Sequence, residues 1–195
     1  IAHDPSPILY VMPTLEMARA LSKDRISPMI RDNPILHGIF GDPKSKDGDN
    51  SILHKKFSGG HLTICGANSS SSLSSRPVRI VLLDEVSRFP ASAGAEGDPV
   101  NLAIKRSQTF WNAKTIMVST PTIKGACRID NAFENSDKRF YKVPCPDCKE
   151  YQVLDWKQVR WDKDNPDSAQ YTCLHCGSLW NCLLYTSPSP RDRIR

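Results

Sequence analysis

The sequence predicts an α/β fold, a parallel sheet with crossover helices, followed by a small metal-held ribbon. Three observations lead there. Ile80 to Leu83, with Val78 just before them, form an apolar run rich in β-branched residues that ends in two carboxylates, Asp84 and Glu85. Such a run suits a strand buried on both faces of a parallel sheet. Between Pro7 and Thr122, apolar strand-like runs alternate with segments of helical periodicity, as strand–helix–strand units require. Cys145-Pro-Asp-Cys148 and Cys173-Leu-His-Cys176 then supply two spaced thiol pairs.

Pro7-Ile-Leu-Tyr-Val-Met-Pro-Thr14 reads as the first strand, closed by a Pro-Thr turn. Thr14 can cap a helix over Leu15 to Ser22 whose inner face carries Leu15, Ala18 and Leu21. Pro28 and Pro34 are expected to break up the next stretch of chain, and residues 41–50 read as an exposed loop without periodicity. His54, Lys55 and Lys56 form a small basic cluster that reads as a solvated edge. Gly60 to Ala67 is a second core strand. Asn68 to Ser75 is almost all serine, interrupted by Leu73; it offers little surface to bury and is expected to be mobile. Arg76 and Arg79 flank it, which suits either a surface linker or an approach to phosphates. Ala91 to Gly97 is a small-residue loop. Asp98-Pro99 starts a helix with an acidic cap and a proline in the first turn. Val100, Ala103, Ile104, Ser107, Phe110 and Trp111 recur at helical spacing and predict a core-packed helix to about Asn112. Lys114 to Thr122 is a third apolar strand, ending in hydroxyls and a proline.

Open α/β sheets bind ligands beyond the C-terminal ends of their strands, where Asp84 and Glu85 emerge. Two carboxylates there suit a nucleotide: Asp84 to hold Mg²⁺, and Glu85 to orient and deprotonate the attacking water. This is the Walker B pattern of P-loop ATPases. A buried strand ending in a solvated Asp-Glu turn fits the same octapeptide equally well. Ser119-Thr120-Pro121, expected at the same edge, adds hydroxyls able to sense a γ-phosphate, and the combination favours the nucleotide reading. The cysteine knuckles are the most specific local signal. Cys145, Cys148, Cys173 and Cys176 provide four thiolates for tetrahedral Zn²⁺, and with every position taken by sulfur the metal is structural. His175 is not needed as a ligand. Tyr151, Val153, Leu154, Trp156, Val159 and Trp161, between the knuckles, read as the short strands of the ribbon.

The 195 residues suffice for one domain and a small satellite, and 39% hydrophobic with 24% charged residues is a globular composition. A net charge of +5 permits contact with nucleic acid without demonstrating it. No apolar run approaches the ~20 residues of a membrane-spanning helix. The first residues are not a signal peptide, and the missing initiator Met suggests a cut end. Seven cysteines, four of them in two matched pairs, favour a reducing compartment with one metal site over a disulfide framework. From Asn181 the pattern changes; residues 181–195, with Cys182, read as a non-native or disordered tail.

From about Asp4 to Trp180 the sequence resembles the ATPase region of the large terminase subunit of tailed phages, GpA type. The resemblance rests on Asp4-Pro-x-Pro, Val11-Met-Pro-Thr14, Gly59-Gly-x-Leu62, Gly66-Ala-Asn68, Leu83-Asp-Glu-Val86, Gly97-Asp-Pro99, Ser119-Thr-Pro-Thr122 and Val143-Pro-Cys-Pro-x-Cys148, in that order. It implies a RecA-like P-loop ATPase sheet that hydrolyses ATP to drive DNA packaging. Asp84 would bind Mg²⁺, Glu85 would activate water, and Ser119, Thr120 and Pro121 would couple hydrolysis to movement. No Gly-x-x-x-x-Gly-Lys-Ser/Thr is present, so an N-terminally truncated fragment, inactive by itself, is expected. The expected division is 1–140, a partial motor domain lacking the phosphate loop; 141–180, the zinc ribbon; and 181–195, the tail. The resemblance further implies a nuclease domain in the parent protein. Its implied partners are double-stranded viral DNA, a small terminase subunit, the procapsid portal and other copies of itself. Its implied location is the host cytoplasm. A helicase-like DNA translocase of another family, or a non-enzymatic zinc-ribbon DNA-binding module, would share several of these features.

Overall fold

The computed structural model describes residues 1, 3–40, 50–123 and 125–181, and the chain forms two compact units, Ile1–Asn135 and a second beginning at Ser136. Most of the expected loop at 41–50, and Cys182 with nearly all of the expected tail, lie outside the described residues.

The first unit is built on a five-stranded sheet of β1 (Ile8–Met12), β2 (His54–Phe57), β3 (Gly60–Gly66), β4 (Ile80–Asp84) and β5 (Lys114–Val118), in the order β2-β3-β1-β4-β5. β3, β1, β4 and β5 are parallel; β2 joins β3 antiparallel at one edge. Alternation along the strands divides the core between the two faces. On one face Leu9, Val11, Val81 and Leu83 pack with Leu73, Val100 and Ala103. On the other, Ile8, Met12, Leu62 and Ile64 pack with Ala18, Leu36, Phe40 and Phe57. Each fully buried aliphatic side chain contributes roughly 1.5–3 kcal/mol, which holds the central strands and so fixes where their ends emerge.

The helices follow local chemistry. Thr14 caps α1 (Leu15–Leu21), its hydroxyl accepting from the Met17 N–H at 3.2 Å. Pro34 breaks the region as expected, with Asn33 before it extended at φ −109°, ψ 109°, whereas Pro28 does not. A widened, π-helical turn at Ser22–Ile26 leads into α2 (Ser27–Asp32), and α3 (Pro34–His37) follows directly. Both prolines fall in a first helical turn, where the missing N–H costs little. The Ser27 N–H reaches back to the Ser22 carbonyl, the longer loop of the widened turn.

The structure corrects three expectations of local conformation. The basic cluster is the edge strand β2 rather than a wholly solvated edge: Lys55 turns inward, its ammonium 3.4 Å from the Ser51 carbonyl, and burial lowers its pKa. The serine-rich segment contains a short helix, α4 (Ser70–Ser74), because Leu73 is completely buried and anchors it to the core. The helix after Asp98, α5 (Pro99–Lys105), stops well before Asn112. Ser107 ends it, both its N–H and its hydroxyl going to the Ile104 carbonyl, at 3.0 and 2.8 Å. That competition is the reason serine disfavours helix interiors. Trp111, expected in the core, is consequently almost fully exposed. Arg79 is buried and paired with Asp4, with Ser6 Oγ at 3.1 Å, so it braces the entry to β1 instead of meeting phosphate. Helix α6 (Arg128–Glu134) ends the first unit.

The second unit contains a two-stranded sheet of β6 (Val143–Pro144) and β7 (Tyr151–Gln152), and an antiparallel sheet of β8 (Val159–Asp162), β9 (Asn165–Thr172) and β10 (Leu179–Asn181). Asn181 pairs with Gln170, so the ribbon runs one residue further than expected. Its core is Tyr171 and Trp180, rings 5.2 Å apart, whereas Trp156 and Trp161 are exposed. Among the described residues no helix is long and apolar enough to cross a membrane.

Candidate functional site

β4 delivers Asp84 to the C-terminal edge of the sheet, where β5 ends beside it in parallel, Asp84 opposite Val118. Ser119 therefore follows one residue beyond Asp84's partner. The strands had to be parallel and share an edge for a nucleotide site, and they do.

Immediately after Asp84 the chain turns sharply. Val86 is fully buried and Phe89 nearly so, and reaching those positions forces Glu85 into the left-handed region at φ 56°, ψ 42°. A non-glycine residue there is strained, and such strain collects at functional sites. The turn is closed by the Arg88 N–H donating to the Glu85 carbonyl at 2.8 Å. Arg88 also lies 3.5 Å from the Glu85 carboxylate, a long pairing with an exposed guanidinium and so a weak one.

Two contacts tie this turn to the segment after β5. The Ser87 N–H donates to Ser119 Oγ at 3.2 Å. Arg128, from α6, donates to the carbonyls of Phe89 and Pro90 and to Asp98, each at 2.8 Å. Asp98 in turn caps α5 through the Asn101 N–H. Of the three residues expected to sense nucleotide, Ser119 is half-buried in this network, while Thr120 and Pro121 are exposed. A cavity of about 370 Å³ lined in part by Ser87, Phe89, Thr122, Cys127 and Arg128 opens beside the turn, not at Asp84 itself.

Sequence reasoning missed Tyr10. Its hydroxyl donates to Asp84 Oδ2 at 2.8 Å. Burial first, then the bond to Asp84 and the charge of that carboxylate, push the phenol up to about 12. The available signal was a polar-tipped aromatic in an otherwise aliphatic strand, since a buried phenol needs a partner. Gly66, at the end of β3, lies where a side chain would not fit: a Cβ would meet the Leu15 nitrogen and Asn68 Oδ1 at 2.7 Å.

In the second unit the four expected cysteines converge, their sulfurs all within 4.8 Å of one another. Cys145 and Cys176 sulfurs are 3.7 Å apart, and those of Cys148 and Cys173 are 3.9 Å apart. Four sulfurs at Zn–S bonds near 2.3 Å in a tetrahedron sit ~3.8 Å apart, so the set fits zinc. Both knuckles close in the same way. Lys149 and Gly177, each at positive φ, donate to the carbonyls of Cys145 and Cys173 at 3.0 and 3.1 Å. The N–H groups of Asp147 and Cys148 point at Cys145 Sγ, and that of His175 at Cys173 Sγ, all at 3.4 Å. Buried Gln152, also missed, donates to Cys173 Sγ at 3.3 Å and accepts from the Leu174 N–H at 2.9 Å. Burial opposes the Cys173 thiolate, but the amides of Cys176 and His175 with Gln152 favour it and lower its pKa, while the neighbouring thiols raise those of Cys148 and Cys176, so that Cys173 ionises first of these three. A sulfur that ionises readily is the form a metal needs.

The profile of the family described as phage terminase large subunit gpA, ATPase domain, matches residues 1–183. The terminase large subunit of Enterobacteria phage P21 is 34% identical over 196 residues, covering 96% of this chain and 30% of that protein. That of Escherichia phage lambda is 31% identical over 184 residues, covering 90% of this chain and 28% of that protein. Among solved structures, the R139A mutant of the Thermus phage P74-26 large terminase ATPase domain aligns with 79% of this chain and 62% of that one, at 17% identity and a TM-score of 0.47. The chain spans about 30% of the length of the curated relatives it matches. On its sequence, the chain belongs to the family of phage terminase large subunit gpA ATPase domains.

Proposed function

We propose that this chain is part of a DNA-packaging motor: a terminase large subunit that hydrolyses ATP to move double-stranded phage DNA into a procapsid. The observation that most supports this reading is the meeting of Asp84, Glu85 and Ser119 at one parallel sheet edge, joined by the Ser87–Ser119 hydrogen bond, in a chain of this family. Asp84 would hold Mg²⁺, which supplies charge neutralisation at the transferring phosphoryl group. Glu85 accepts the proton of the attacking water from the left-handed turn that ends the strand. Ser119, Thr120 and Pro121 carry the change at that edge to α6 through Arg128 and the turn after Glu85. The four cysteines hold structural zinc in a ribbon spanning roughly residues 141–181, outside the motor unit. The partners of this reading are a small terminase subunit, the portal and further copies of the large subunit, in the host cytoplasm; cutting of DNA belongs to a separate nuclease domain of the same subunit.

The test uses the complete large subunit that carries this sequence. Glu85→Gln keeps the shape and removes the base, so ATP binding should persist while turnover falls ~10²-fold or more. Asp84→Asn should instead raise the Mg²⁺ requirement. Equal and mild effects of both changes would reduce Asp84-Glu85 to a solvated strand end and overturn the assignment.

A further inference from the structure

Tyr10 sits in the middle of the central strand β1, with Ile64 of β3 and Leu82 of β4 as its cross-strand neighbours. Residues two apart on a strand share a face, so Asp84 lies on the same face as Leu82, roughly 6.6 Å further along β4. Side chains on strands lean along the strand direction. A tyrosine leaning that way spans the step, and its hydroxyl meets Asp84 Oδ2 at 2.8 Å. The rest of the cluster on this face is apolar, with Ile8, Met12, Leu62 and Ile64 among its members. Phenylalanine would fill that space as well. What tyrosine adds is one donor, aimed at one oxygen of one carboxylate.

We propose that Tyr10 is a positioning residue for Asp84: by holding Oδ2 it fixes the carboxylate's orientation and leaves Oδ1 for the Mg²⁺ of a bound nucleoside triphosphate. This rests on the reading of Asp84 as the magnesium ligand. The phenol is suited to the role because it stays protonated at neutral pH and so remains a donor, without adding a charge that would compete with the metal. Partners that orient a metal-ligating group typically alter metal affinity 10–100-fold when removed.

The experiment measures ATP turnover of the complete large subunit against Mg²⁺ concentration for the unaltered protein, Tyr10→Phe, Asp84→Asn and the double variant. Tyr10→Phe should raise the half-saturating Mg²⁺ roughly tenfold while turnover at saturating Mg²⁺ stays close to the unaltered rate. In the Asp84→Asn background the same change should add nothing, because the group it acts through is gone. If Asp84→Asn shifts the Mg²⁺ requirement and Tyr10→Phe does not, the positioning role is overturned and the assignment of Asp84 survives. If neither shifts it, the assignment of Asp84 fails first and takes this proposal with it. A loss of turnover in Tyr10→Phe that saturating Mg²⁺ does not restore also overturns it, since that is a packing effect. A second readout needs no change at Tyr10 and no catalysis. In this chain at neutral pH, with ¹³Cζ-labelled tyrosine, Asp84→Asn should shift one of the five tyrosine resonances; five unchanged resonances mean the bond is absent and overturn the proposal.

Discussion

Glu85 should be more stable as glycine than as alanine, and the margin can be worked out from its backbone. Among the described residues of the first unit, it is the only non-glycine residue at positive φ. The left-handed conformation costs an L-residue about 1–2 kcal/mol, and glycine escapes that cost. Glycine also gains freedom in the unfolded chain, which returns about 0.4–1 kcal/mol. The expected net advantage of Glu85→Gly over Glu85→Ala is therefore about 0.5–1 kcal/mol. Comparing those two variants removes the ion pair with Arg88 from the result, because both lack it. Urea unfolding at 222 nm is the assay, since α1 to α6 all lie in the first unit and supply the signal. The midpoint should move with the slope unchanged, equivalent to roughly 2–4 °C in Tm for a unit of this size. A glycine variant no more stable than the alanine variant would show that the left-handed turn carries no strain. In the complete protein the same glycine variant should lose turnover. Strain at this position is then tolerated for the carboxylate.

Metal analysis of protein prepared without chelator should find about one Zn²⁺ per chain; Cys173→Ser should lower that content, and metal-free protein with an unchanged near-UV spectrum would remove the ribbon's metal. Leu73→Ala should destabilise the first unit by about 2–5 kcal/mol, against less than about 0.5 kcal/mol if the serine-rich segment were a loose surface linker. Tyr10 gives a pH signature. Its phenol is raised from near 10 to about 12, first by burial and then by Asp84, so its contribution is complete below about pH 10 and is lost as pH rises toward 12. The stability difference between the unaltered chain and Tyr10→Phe should narrow over that interval, and a difference that stays constant would argue against the raised phenol.

The features legible in the sequence were those that depend on short-range pattern. β1, β3 and β4 announced themselves as apolar runs with turn residues at their ends, and Thr14 and Asp98 as helix caps. The knuckles announced their own geometry, because Cys-x-x-Cys brings both sulfurs to one side of a tight turn. The misreadings share a cause as well: in each, a contact or a sheet position outweighed local composition. Leu73 turns a serine tract into a helix because a core position exists for it to fill. Ser107 stops a helix that the spacing of Phe110 and Trp111 would continue. The Ile116 and Val118 side chains look like core in sequence, yet β5 is a sheet edge among the described residues and both are exposed. The roles of Tyr10 and Gln152 were not legible because their partners lie 74 and 21 residues away; the phenol in an aliphatic strand announced only that some partner was needed.

The order of strands has a consequence for how the chain is made. β1 is central, yet both of its neighbours come much later: Leu9 pairs with Thr63 and with Val81. Ribosomes add roughly 5–20 residues per second, so for several seconds after β1 emerges its hydrogen-bonding edges have no strand to pair with, although α1 follows at once to cover the face that carries Ile8 and Met12. Its pairing is non-local on both sides, the kind that forms slowly and leaves strands open to wrong partners. β1 also carries Tyr10, so the contact that reaches Asp84 can form only in the same step that brings β4 into the sheet. In a growing chain, the acidic edge and the centre of the sheet become native together or not at all.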